Sequence, residues 1–159
     1  MLEASKNFTG YHFVIAKAPG IEESFYSGLL RPYSNVSFVV NQTYQLLSEA
    51  KAALVTSGTA TLETALFGVP EVVCYKGSNI SYQIAKRLIK IKYISLVNLI
   101  MDKEVVKELI QDNLTVENIT SELNAILTNT ARQQQMKNDY AQLKNLLGKG
   151  GNASANAAR

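Results

Sequence analysis

Residues 52–75 read Ala-Ala-Leu-Val-Thr-Ser-Gly-Thr-Ala-Thr-Leu-Glu-Thr-Ala-Leu-Phe-Gly-Val-Pro-Glu-Val-Val-Cys-Tyr. Two short apolar runs, 52–56 and 72–75, flank a segment, 60–67, that suits a helix. Ser57-Gly58-Thr59 turns the first run into that helix, and Gly68 with Pro70 closes it before the second. Strand, helix and strand over so short a span predict two parallel strands joined by a right-handed crossover. Neither run alternates polar with apolar residues, as expected of strands covered on both faces.

The same grammar extends upstream. Residues 11–16, Tyr-His-Phe-Val-Ile-Ala, read as a buried strand stopped by Pro19-Gly20. Residues 22–30 read as a helix with acids in its first turn, and 37–40 as the next strand. Asn41 or Thr43 is then expected to cap a helix that turns Tyr44, Leu47 and Ala50 inward. Downstream of Tyr75 the pattern predicts mostly helices. One falls near 81–90, and a short strand at Tyr93-Ile94 follows it. Another runs near 103–110 behind an Asp102 cap, another from Thr115 to about 127, and a last one over 131–147. The opening residues 1–8 read as the end of a helix. The expectation is therefore an α/β domain over 1–147, a doubly wound parallel sheet truncated at both ends and followed by helices. A flexible tail over 148–159 lacks large apolar side chains.

Composition narrows the function classes. With 159 residues, 47% apolar and 18% charged, the chain has material for one core and is too apolar for intrinsic disorder. One cysteine, Cys74, and one histidine, His12, exclude a disulfide framework and a Cys- or multi-His metal site. Cys74 reads as buried core, and so does His12, which sits inside an apolar strand. No apolar run approaches the roughly 20 residues of a membrane span, and residues 1–6 do not resemble a signal peptide, so the expected setting is cytoplasmic. Neither a Gly-x-Gly-x-x-Gly turn nor a Walker lysine loop is present, and nothing suggests nucleic acid as a partner. Residues 72–101 contain no acid, yet carry Lys76, Lys86, Arg87, Lys90 and Lys92. Such a block fits an anionic partner, and it equally fits a solvated helix face.

Ligands of open α/β sheets sit beyond the carboxyl ends of the strands, against helix N-termini. Ser57, Gly58, Thr59, Ala60 and Thr61 occupy such a place. Gly58 lets an anion approach the backbone, and the hydroxyls offer donors. Simple N-capping by Ser and Thr explains the same residues. Glu63, one turn along, could accept from two vicinal ribose hydroxyls, or merely complement the helix dipole. Lys76 follows the next strand on the same edge, within reach of a phosphate, and Asn79 or Ser81 could meet a sugar hydroxyl; an ordinary helix-capping loop accounts for them as well. A basic amphipathic helix with Lys86, Arg87 and Lys90 could lie on anionic headgroups or simply face water.

Ser57-Gly58-Thr59-Ala60-Thr61-Leu62-Glu63 resembles lipid-A-disaccharide synthase. The likeness continues through Val72-Val73-Cys74-Tyr75-Lys76, Ala85-Lys86-Arg87-Leu88, Tyr93-Ile94-Ser95-Leu96-Val97-Asn98-Leu99 and Val106-Lys107-Glu108-Leu109-Ile110-Gln111. It spans most of 11–147. The resemblance implies the C-terminal, Rossmann-like half of a GT-B glycosyltransferase that makes the lipid A disaccharide. In that reaction UDP-2,3-diacylglucosamine is joined to 2,3-diacylglucosamine 1-phosphate, with inversion and without a metal or other cofactor. By the same resemblance, residues 57–61 would hold the UDP phosphates and Glu63 the ribose, while Val40 and Asn41 face the uracil. Asn98 would belong to the catalytic centre; beside it, Val97 stands where the family usually has proline. An N-terminal domain carrying the acceptor site, and an anionic inner-membrane surface, would be the chain's partners. Standing alone, the chain is expected to be inactive. Other UDP-sugar GT-B enzymes, such as a peptidoglycan glucosaminyltransferase or a UDP-sugar 2-epimerase, and a non-catalytic flavodoxin-like module are the alternatives.

Overall fold

The computed structural model describes residues 1–18, 20–56, 58–77 and 92–149. Strand β1 (Phe13–Ala16), helix α2 (Glu23–Leu30) and strand β2 (Val36–Val39) follow a short helix α1 (Leu2–Ser5). Helix α3 (Thr43–Glu49), β3 (Ala53–Val55), α4 (Thr59–Phe67) and β4 (Glu71–Tyr75) come next. Helix α5 (Leu96–Met101), β5 (Lys107–Ile110), a 3-10 turn (Gln111–Asn113), α6 (Val116–Thr128) and α7 (Thr130–Lys149) complete the order. Strands β1 and β2 pair in parallel, and β3-β4-β5 form a second parallel piece with β4 central. The arrangement is α/β and consistent with a Rossmann-like fold, as expected.

The central strand explains the core. Val72, Val73 and Cys74 are consecutive and all buried, as a strand covered on both faces requires. Ile119, Leu123 and Ile126 of α6, and Met136, Tyr140 and Leu143 of α7, recur at helical spacing and join the same cluster. Thr115 caps α6, its hydroxyl accepting from the Asn118 amide, and Gly68 ends α4 in the left-handed region at φ 78°. Burial pushes the Cys74 thiol up to about 11, so it stays protonated core.

Four expectations need correction. The segment 103–110 is not a helix. Its end is β5, paired with β4 so that Val73 faces Glu108 and Cys74 faces Leu109. The run Val105-Val106…Leu109-Ile110 satisfies helical spacing too, and an open edge on β4 decides for strand. Asp102 accordingly ends α5 in the left-handed region (φ 48°) and starts nothing. Tyr93-Ile94 forms no strand; the neighbouring Ser95 makes one isolated parallel bridge to Gly58. Tyr44 is 61% exposed, and His12 lies just ahead of β1, exposed, sharing a 2.8 Å hydrogen bond with the Ser37 hydroxyl. The helix expected near 81–90, and the tail beyond 149, lie outside the described residues. Among the described residues no helix is long and apolar enough to cross a membrane.

Candidate functional site

The turn from β3 into α4 is held open by its glycine. Gly58 has φ 97° and ψ −155°, a conformation that a side chain would strain. Among the described residues a Cβ there would meet nothing within 4 Å. Gly58 occupies the N-cap with no side-chain cap bond among the described residues, so the positive end of the α4 dipole lies at this turn without a side-chain partner. Thr59 is exposed and Ala60 half-buried. Thr61 plays a different part. It is fully buried, and its hydroxyl donates to the Gly58 carbonyl at 2.9 Å, so it braces the turn from beneath. Ser57 lies outside the described residues.

Glu63 projects from α4 into an open cleft of about 470 Å³. The opposite wall is the start of α3: Asn41, Gln42, Thr43, Tyr44 and Gln45. Asn41 follows β2 with φ 56°, a left-handed residue of the type that tolerates it, and Val40 before it is 38% exposed. The carboxyl end of β2 therefore opens on this cleft, with a carboxylate from α4 on one side and a side-chain amide on the other. Tyr44 points out of the core because its ring stacks on Phe67 of α4, centroids 5.5 Å apart and planes 19° apart. Gln42, Tyr44 and Gln45 were not foreseen as cleft residues. Their only sequence signal was position, directly after a strand whose end faces a ligand edge.

Lys76 is exposed just past β4, on the same carboxyl edge. Asn79, Ser81, Lys86, Arg87 and Lys90 lie outside the described residues.

Asn98 sits away from the cleft, fully buried in the first turn of α5. Its side-chain oxygen accepts from the amides of Val105 (2.8 Å) and Val106 (3.0 Å). Its side-chain nitrogen donates to the Val106 carbonyl (2.8 Å) and to Glu108 Oε1 (2.9 Å). Both lone pairs and both N–H groups of the amide are thus engaged by protein. Glu108 in turn gathers the Ile94 amide (3.0 Å), the Ser95 amide (2.9 Å) and the Ser95 hydroxyl (2.7 Å). The Ser95 hydroxyl also caps α5 by accepting from the Asn98 amide. Val97, where proline is usual in the family the sequence resembles, is a buried first-turn residue of α5, a place that suits proline as well.

Comparison with known proteins places this geometry in context. The family model described as lipid-A-disaccharide synthetase matches residues 2–159. A lipid-A-disaccharide synthase of Psychromonas ingrahamii is 39% identical over 146 residues, 90% of this chain and 38% of the relative. The synthase of Syntrophus aciditrophicus is 36% identical over 154 residues, covering 93% and 40%. That of Geobacter sulfurreducens is 32% identical over 147 residues, covering 92% and 38%. The chain thus spans about two fifths of the length of the curated relatives it matches.

Proposed function

The chain belongs to the lipid-A-disaccharide synthetase family, a family of glycosyltransferases, and from that premise we propose that it is the donor-nucleotide-binding part of an inverting enzyme. Its donor would be UDP-2,3-diacylglucosamine and its acceptor 2,3-diacylglucosamine 1-phosphate. The observation that carries this is the cleft that Asn41 shares with Glu63, a residue of the helix that the Gly58 turn begins.

Each group has a task the ligand chemistry explains. The UDP pyrophosphate lies on the turn at 57–61, where backbone N–H groups and the α4 dipole meet its charge. Glu63 accepts from the two vicinal ribose hydroxyls, an acceptor-only job that an ionised carboxylate fits. Val40 and Asn41 border the uracil. In the reaction the acceptor 6-hydroxyl oxygen forms a bond to the anomeric carbon. The bond from that carbon to the phosphate oxygen breaks, and its electron pair leaves on UDP. The hydroxyl proton passes to a base supplied by another part of the protein, and fixed donors at the pyrophosphate stabilise the charge that develops, each worth about 3–4 kcal/mol. Alone, the chain binds UDP without transferring sugar. Asn98, whose place in the catalytic centre rests on the family resemblance, holds the backbone at Val105 and Val106.

Calorimetry with UDP tests this reading. The chain is expected to bind, and Glu63→Ala is expected to weaken binding about tenfold, the loss of a charged hydrogen-bonding pair. No heat with UDP, or equal affinity in the variant, would overturn it. Lys76, with Lys86, Arg87 and Lys90, is the part of the proposal that rests on charge alone, as a contact with anionic headgroups at the inner membrane. Binding to anionic vesicles that does not weaken with salt would count against it.

A further inference from the structure

We propose that Glu108 is a positioning residue for the phosphate-holding turn. The inference rests on the donor-site reading above and adds a residue of β5 to it. The turn at Gly58 has no side-chain cap of its own, and Gly58 needs a conformation that does not hold itself. Its lateral support comes from Ser95, which forms the isolated parallel bridge to Gly58. Ser95 is fully buried, and its own position is fixed by one carboxylate: Glu108 takes its amide at 2.9 Å and its hydroxyl at 2.7 Å. The same carboxylate takes the Ile94 amide and the Asn98 side chain, so the approach to α5 is pinned at several points.

Glu108 is anchored in turn by β5, opposite Val73 of the central strand. A continuous line therefore runs from the rigid middle of the sheet, through a carboxylate and a buried serine, to the turn where a diphosphate would lie. No basic side chain pairs with Glu108 among the described residues; every partner is an amide or a hydroxyl that sits next to the bridge. Charge-assisted hydrogen bonds of this kind are stronger and more directional than neutral ones, which suits an anchor. Glutamine in this position keeps the shape but loses the charge and turns one acceptor into a donor facing N–H groups.

The prediction separates phosphate from nucleoside. UDP and uridine are titrated by calorimetry into the full chain, wild type and Glu108→Gln, with thermal unfolding followed in parallel. Glu108→Gln is expected to weaken UDP about tenfold while uridine affinity stays within twofold, because only the diphosphate reads the turn. Glu63→Ala, by contrast, should weaken both ligands. If Glu108→Gln does not fold, Ser95→Ala carries the same test, with a smaller loss confined to UDP. Unchanged UDP affinity, or an equal loss for UDP and uridine, overturns the positioning role even where wild-type UDP binding upholds the donor site. Absence of UDP binding to the wild type removes the donor site itself, and this proposal with it.

Discussion

Unfolding free energy measured in urea is expected to fall by about 1.4 kcal/mol per pH unit between the ordinary glutamate range and pH 9, from Glu71 alone, and Glu71→Gln should abolish that slope. Glu71 opens the central strand β4, in register with Ala53 of β3, at the end of the sheet opposite the cleft. It is fully buried, and neither carboxylate oxygen finds a partner among the described residues. Burial alone drives its carboxyl from 4.5 up to about 9, so it is neutral at pH 7. An unfolded chain has this group ionised above pH 4.5. Folding therefore takes up a proton, and the stability is full below that pH and is lost as pH rises toward 9. At pH 7 the accumulated cost is about 3 kcal/mol, a large share of the 5–15 kcal/mol typical of a domain. Tyr140 stands beside it on α7, also buried, its hydroxyl without a hydrogen-bond partner among the described residues. Burial first, and the neighbouring Glu71 second, push that phenol far above its usual value, so it adds no charge over this range. Because glutamine has a similar shape and no titration, the comparison of slopes is diagnostic where absolute stability is not. Parallel pH profiles for the two proteins would contradict the assignment.

Asn98→Ala should cost about 3–4 kcal/mol of stability, since it orphans several buried backbone groups at once. The Val105 and Val106 amides lose their acceptor, the Val106 carbonyl loses a donor, and both residues are essentially without solvent. Glu108 also loses one of its donors. Asn98→Asp should be no better, because it places a second carboxylate against Glu108 and an oxygen against the Val106 carbonyl. Urea denaturation checks both variants. A fully stable Asn98→Ala would show that the amide is dispensable to the fold and leave room for a direct part in catalysis.

Much of the architecture was legible because the upstream half obeys local rules. Short β-branched runs, Pro and Gly punctuation and a Ser-Gly-Thr turn set β1 to β4 to within two residues at either end. The Thr115 cap and the long apolar spacing of α6 and α7 were equally plain. The region after the basic block failed where two periodicities coincide. Val105-Val106 and Leu109-Ile110 suit either a helix or a strand, and only the unpaired edge of β4 chooses. Tyr44 failed differently: an aromatic at a helix start suggests core, yet its partner is Phe67 on the neighbouring helix. Glu63, which the family resemblance singled out, lines the cleft with Asn41, whereas nothing in the sequence singled out Glu108. A glutamate among valines and leucines looks like a surface acid until the amides it gathers are in place.

The most direct measurement is a UDP titration of isotopically labelled chain followed by backbone amide shifts. The largest changes are expected at Gly58, Thr59 and Ala60, with Asn41 and Glu63 following at the same ligand concentration. Shifts that cluster elsewhere on the molecule, or none at saturating UDP, would contradict a nucleotide seated between α3 and the amino end of α4.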